Sequence, residues 1–473
     1  MTATATRDLD LADIQGLVLR GHGALPEATF LLLEVRESAA AGTVLADWAG
    51  RVTSALERVQ DSAIQVALTA EGVRALAGDG VTAGFSQQFT TGMATAYRSR
   101  LLGDQGDDGP ATWDWGGPTT PTVHVLVLVY AASAAALTQL QTELVAQAEG
   151  SGLALAGELA TDTLGPNEPF GFHDGISQPL LTGLPGASDP PGAVRSGEFV
   201  LGYPNEYGQL TERPLLADSA DPERLLPRAD GAADLGRNGS YLVLRQLEQH
   251  VDAFHEYLAD ATRRSDGSAD PAAAALLGAQ LVGRWPSGAP LTLDPQQDNP
   301  THAEANEFGY HANDADGLGC PIGAHVRRAN PRDALAPKPG TASSLDVNRR
   351  HRILRRGRAY RTQREDGTVE QGLYFLCLNA NLARQFEFIQ HSWLNDPGFN
   401  LLDDASDPLV GVRVGTGRGA GATFSAPATP VRRRYRDLPQ FVRVRGGGYF
   451  FLPGISALRW LATRAAAGPG AAT

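Results

Sequence analysis

The sequence predicts an α+β fold built from a duplicated unit, and two observations predict it. Four times a strand-like stretch runs into, or towards, a helix-like one: at Thr29 (TFLLLEVRE), Pro121 (PTVHVLVLVYAASAAALTQLQTELVAQ), Gly239 (GSYLVLRQLEQHVDAFHEYLADAT) and Gly372 (GLYFLCLNANLARQFEFIQHSW). Two of these units precede the Gly/Pro-rich stretch Gly183 to Gly197 and two follow it, so a boundary is expected near residue 190.

In the last three units, β-branched and aromatic residues give way to leucines and alanines at helical spacing, the pattern of a strand followed by a helix. Strands alternating with helices imply sheets covered by helices. Arg264 to Pro300, rich in Asp, Pro, Ala and Gly, reads as a long loop excursion. The end from Ala465 (AAAGPGAAT) reads as frayed, with residues 466–473 a flexible tail.

The 473 residues are 42% hydrophobic and 20% charged, enough apolar material for a large core. Cys320 and Cys377 stand in apolar or strand-like surroundings without paired spacing, which argues against a disulfide framework and a cysteine metal site. No apolar run approaches the length of a membrane span, and Met1 to Asp10 lack a leader pattern, so the expectation is a cytoplasmic protein with no membrane partner. A net charge of −13 disfavours nucleic acid; the arginine clusters Arg349 to Arg358 and Arg432 to Arg436 are expected to pair with internal carboxylates. Nearly all basic charge is arginine, Lys338 being the single lysine.

Three segments could carry chemistry. In Gly171-Phe172-His173-Asp174-Gly175-Ile176-Ser177-Gln178-Pro179, two glycines flank an aspartate; the loop could lie against a flat ligand with Asp174 in a cavity, or be a solvated Asp-Gly turn. In Cys320 to Asp333, His325 is framed by small residues and followed by Arg327 and Arg328. A neutral imidazole there could bind haem iron while neighbouring arginines neutralise propionates, or be a hydrogen-bonded structural histidine. In Asn348 to Tyr360, arginines surround Ile353 and Leu354, so some guanidiniums should point inward and need anions; a solvated basic edge is the other reading.

A competing cluster, His302, Glu304, Glu307, His311, Asp314 and Asp316, mixes imidazole and carboxylate in a way that could hold a divalent ion, though its spacing matches no standard motif. Dinucleotide, phosphate-binding, nucleophile-elbow and zinc-helix signatures are absent.

Together these segments resemble the dye-decolorizing peroxidase family, particularly its longer bacterial and fungal branches. Gly171 to Gly175 looks like the family's Gly-x-x-Asp-Gly signature, continued by Ile176-Ser177-Gln178-Pro179. His325 with Asn330-Pro331-Arg332 resembles the proximal-histidine segment, and Arg355 in Ile-Leu-Arg-Arg-Gly the distal arginine. Weaker matches are Asp13-Ile14-Gln15-Gly16, Gly372 to Trp393 and Gly446 to Phe451.

The resemblance implies two ferredoxin-like modules with antiparallel sheets covered by helices, an arrangement like a dimeric α/β barrel. They would span residues 1–190, with the Asp174 loop, and 191–465, which binds haem b. It implies His325 as axial ligand, Asp174 as general acid/base and Arg355 as charge stabiliser. Gly171, Phe172, Gly175, Ile176 and Arg328 would contact the cofactor. The place where some branches carry an aspartate partner of the histidine is Asn381 here, which leaves Glu387 as the expected partner.

The implied substrates are hydrogen peroxide and aromatic dyes or phenols, with possible Mn(II) oxidation at Glu304 and Glu307 and possible homo-oligomers. Trp285, Tyr310, Trp393, Tyr449 and Trp460 are candidates to relay electrons, or core residues. The alternatives are a haem-binding protein of the deferrochelatase kind, a haem-free metallohydrolase at His302 to Asp316, and a cofactor-free binding module.

Overall fold

A computed structural model describes residues 8–364, 366–413 and 422–468. The first half contributes β1 (Glu27–Val35), α1 (Ser38–Ala49), β2 (Ser62–Leu68), β3 (Val125–Ala131), α2 (Ala134–Glu149) and β4 (Leu153–Ala160). The second contributes β5 (Ser240–Gln249), α3 (Val251–Ala261), α4 (Pro271–Val282), α5 (His325–Ala329), β6 (Arg358–Gln363), β7 (Val369–Asn379), β8 (Val442–Leu452) and α6 (Ile455–Ala466). All four expected strand-to-helix transitions are present; that of the Gly372 unit runs from β7 into the π-helical turns Ala383–Glu387 and Ile389–Leu394.

The sheet runs in the order β6-β7-β5-β8-β2-β3-β1-β4, with the two-residue strand Leu354–Arg355 paired to β7. Each half thus has its own strands in the order second, third, first, fourth, all neighbours antiparallel, which is a ferredoxin-like module repeated. The halves form one continuous sheet rather than two, joined by the single pair Phe451 and Leu68. The boundary expected at residue 190 falls in the long connection between β4 and β5, residues 161–239.

β1 is apolar at nearly every position because both faces are covered. Phe30 and Leu32 pack with Leu128, Tyr130, Leu242 and Leu376 in one core, while Leu31 and Leu33 pack with Val127, Val129, Trp48 and Leu461 in the other. Cys320 and Cys377 are free and buried. Among the described residues no helix is long and apolar enough to cross a membrane.

The expected loop excursion from Arg264 to Pro300 contains a helix instead. Its Asp and Pro stand at the start of α4, where Asp270 accepts the Ala273 N–H and Pro271 occupies the first turn, and the alanines and leucines between are strong helix formers. The expected tail also begins later than Ala465, since α6 runs to Ala466; residues 469–473 lie outside the described residues.

α4 ends at Gly283, whose φ of 101° is left-handed. A Cβ there would meet Val326 Cγ2 at 2.4 Å, so the glycine lets α4 come close to α5. Gly283→Ala is expected to destabilise the protein by about 1–3 kcal/mol, through strained backbone and a crowded core, read as a lower denaturant midpoint at unchanged slope.

Candidate active site

A cavity of about 300 Å³ lies against the second half of the sheet, at the lower end of small-molecule sites. Leu247 of β5, Leu373 and Phe375 of β7, and Val442 and Val444 of β8 line it, and Ile389 and Leu394 add an apolar wall. These side chains give the cavity apolar walls.

His325 enters this cavity from the first position of α5. Its Nδ1 lies 3.0 Å from Asp407 Oδ2, and Asp407 is fully buried. The other Asp407 oxygen accepts the Leu409 and Val410 N–H groups at 2.9 Å each, which fixes the carboxylate's orientation. Burial pushes the Asp407 carboxyl up, but the adjacent His325 and the Arg328 charge hold it below the usual range. Burial likewise lowers His325, and the Asp407 charge more than offsets this, so its pKa is raised. With the Nδ1 proton donated to Asp407, the Nε2 lone pair is left for a metal.

Asp174 and Arg355 share the cavity. Gly171 and Gly175 have φ of 97° and 86°, the left-handed conformations that a side chain would resist, and these fold the segment into a tight loop. Glu168 clamps that loop, accepting the Phe170 and Phe172 N–H groups at 3.0 and 2.9 Å. Arg355 Nη1 donates to Asp174 Oδ1 at 2.8 Å and its Nη2 to the Ile176 carbonyl at 3.0 Å. Burial pushes the Asp174 carboxyl up, yet the Arg355 charge and the Gly175 N–H outweigh it and hold the carboxyl below its ordinary value.

The cavity is also poor in anions where arginines meet. Arg352 donates only to the Ser177 carbonyl, at 2.7 Å, and burial together with the Arg332 and Arg355 charges pushes its pKa down to about 9. Arg332 bonds to Asn306 and Phe308 and leaves a buried Nε without a partner. Among the described residues neither pairs with a carboxylate, so a ligand carrying acidic groups would relieve both.

Of the residues singled out in the sequence, Asp174, Arg355, His325, Phe172 and Ile176 line this cavity; Gly171 and Gly175 shape its loop. Arg328 does not line it: its fully buried guanidinium donates to the carbonyls of Trp393, Leu394, Asp396 and Ala405. Glu387 is not the histidine's partner. It is held by Arg98 at 2.6 Å and the Tyr449 hydroxyl at 2.9 Å, and Asp407 takes the expected role.

Glu304 and Glu307 are exposed, and among the described residues no group of three or more His, Cys, Asp or Glu side chains could hold a metal. His302 instead binds Asp294 and Asp314 binds Arg327, which removes the basis for a metallohydrolase at this cluster. Trp285, Tyr310, Trp393, Tyr449 and Trp460 are all buried, and of these only Tyr310 lines the cavity.

No protein-family profile matches the chain. Among curated proteins it is 30% identical to the multifunctional dye peroxidase DyP2 of Amycolatopsis, covering 97% of each chain. It is 32% identical to a dye-decolorizing peroxidase of Exidia glandulosa, covering 96% of this chain and 87% of the relative. Among solved structures it is similar to a dye-decolorizing peroxidase in complex with 2,6-dimethoxyphenol, at a TM-score of 0.75 and 26% identity over 97% of this chain and 100% of that one.

The Asp174 and Arg355 pairing has a measurable signature. In Arg355→Leu the carboxyl loses its neighbouring cation, and the Asp174 pKa is expected to rise from its lowered position. Carbon-detected NMR of labelled aspartates should show its titration moving up in pH, and an unmoved titration would break the coupling.

Proposed function

Because the chain belongs to the dye-decolorizing peroxidase family, we propose that His325 is the axial ligand of haem b and that Asp174 and Arg355 handle hydrogen peroxide. The protein is a haem-binding, hydrogen-peroxide-dependent oxidoreductase that acts on dyes and phenolic donors. The observation that carries the site assignment is His325, oriented by a buried carboxylate with Nε2 free, in a cavity that also holds Asp174 and Arg355.

The residues fit the cofactor. Apolar strand side chains would cover the macrocycle, and Arg352 with Arg332 would hold its propionates, supplying the anions these two guanidiniums lack. Bound haem supplies an iron centre that takes up the oxidising equivalents of peroxide and passes them on by one-electron steps. Asp407 keeps the proton on His325 Nδ1. The ionised Asp174 carboxylate takes a proton from hydrogen peroxide and returns it to the departing oxygen, which leaves as water. Arg355 keeps Asp174 ionised and stabilises the negative charge on that oxygen.

Phenols are the favoured donors, since a structurally similar relative was solved with 2,6-dimethoxyphenol. Mn(II) would have to use Glu304 and Glu307 as separate exposed carboxylates, a weak arrangement for a hard dication.

Protein made with adequate haem supply should show an intense Soret band that His325→Ala loses or displaces. A colourless parent that refuses reconstitution overturns the reading. Asp174→Asn should keep the Soret band while peroxide-dependent oxidation of 2,6-dimethoxyphenol falls by about 10²–10⁴-fold, the usual worth of a positioned acid/base. The parent's activity should persist as pH falls from neutral and drop only as Asp174 protonates, below the ordinary carboxylate range of about 3.9. An acid limb near neutrality would assign the proton transfer elsewhere.

A further inference from the structure

The loop that carries Asp407 is held by two guanidiniums that form no salt bridge among the described residues. Arg328, on α5 three positions after His325, donates to the Ala405 carbonyl at 2.8 Å and to the Trp393 carbonyl at 2.7 Å. Its guanidinium lies 4.9 Å from the Phe399 ring centroid. Arg413 donates to the carbonyls of Asp407 at 3.0 Å, Gly411 at 2.8 Å and Pro408 at 2.6 Å. Burial lowers both guanidinium pKa values to about 10, so both stay charged wherever a peroxidase works. Carbonyl dipoles solvate these cations without neutralising them, and each interacts electrostatically with the buried Asp407 anion.

We infer that Arg328 and Arg413 are positioning residues that temper the pull of Asp407 on the His325 Nδ1 proton, and so set the reduction potential of the iron that His325 would ligate. A carboxylate beside a metal-bound imidazole makes the ligand more basic and favours the oxidised metal. Two fixed cations around that carboxylate weaken the effect without breaking the hydrogen bond, so the imidazole stays neutral and the potential is kept from falling too far. This rests on His325 being the axial ligand.

Spectroelectrochemistry of the holoprotein tests it. Arg413 is only half-buried and is the milder site to change. Arg413→Gln keeps hydrogen-bonding capacity without charge, and is expected to lower the ferrous-to-ferric ratio at a fixed poise by about tenfold, or about 59 mV for one electron. Arg413→Lys, which keeps the charge but not the planar fork, should stay within about a third of that shift. Equal shifts in the Gln and Lys variants would mean that loop geometry alone matters and would overturn the proposal, as would no shift in Arg413→Gln.

If Arg413→Gln does not accumulate folded, Arg328→Gln is read in the same way. Failure of both to fold would make the two arginines structural braces and equally overturn the proposal. A parent whose Soret band is indifferent to His325→Ala refutes the ligand assignment instead, so the two failures are distinct.

Discussion

The hydrogen bond between His325 and the fully buried Asp407 is the constraint on which the site depends. It decides which imidazole nitrogen keeps the proton, the direction in which the other points, and the presence of a negative charge inside the protein. A fully buried carboxylate is tolerable only when its acceptors are filled, and here His325, Leu409 and Val410 fill them. Much of the neighbouring structure serves that arrangement. Gly283 brings α4 against the turn that presents His325, and Arg413 ties together the carbonyls of the loop presenting Asp407.

β3, β5 and β7 were legible because residue chemistry changes beyond them, from β-branched and aromatic to leucine and alanine. β2 and β4 were not: β2 is followed directly by the helix Ala70–Ala77 but offers only Ile64 and Val66 as β-branched residues, β4 runs into the long connection, and each is specified by the neighbour it pairs with. Each of the segments bearing Asp174, His325 and Arg355 left a bland reading open by itself, and only their joint resemblance to the family's motifs singled these residues out. Asp407 could not be read, because it meets His325 from a loop 82 positions away with no periodicity to mark it. Glu387 was the wrong partner for a related reason: a carboxylate on the right segment is indistinguishable by sequence from one turned toward Arg98 and Tyr449.

The arginine clusters were expected to pair with carboxylates, and several do not. Arg356 donates to the carbonyls of Leu17 and Val18, and Arg358 to those of Pro26, His22 and Leu25. A planar guanidinium can serve several backbone carbonyls at once, which a lysine ammonium does with less geometric order. Used this way, charge acts as a clip between loops of irregular backbone, a physical use for a chain that carries a single lysine.

The two halves of the sheet share one backbone rung, Phe451 and Leu68, while their side chains pack in common cores and the long strap between β4 and β5 joins them along the chain. That strap bears Asp174, whereas His325, Arg355 and Asp407 all come from later in the chain. Asp174 is therefore delivered to the cavity by the connector itself. Neither repeat alone holds all four side chains, and they come together only because the doubled architecture folds its own tether over its second half.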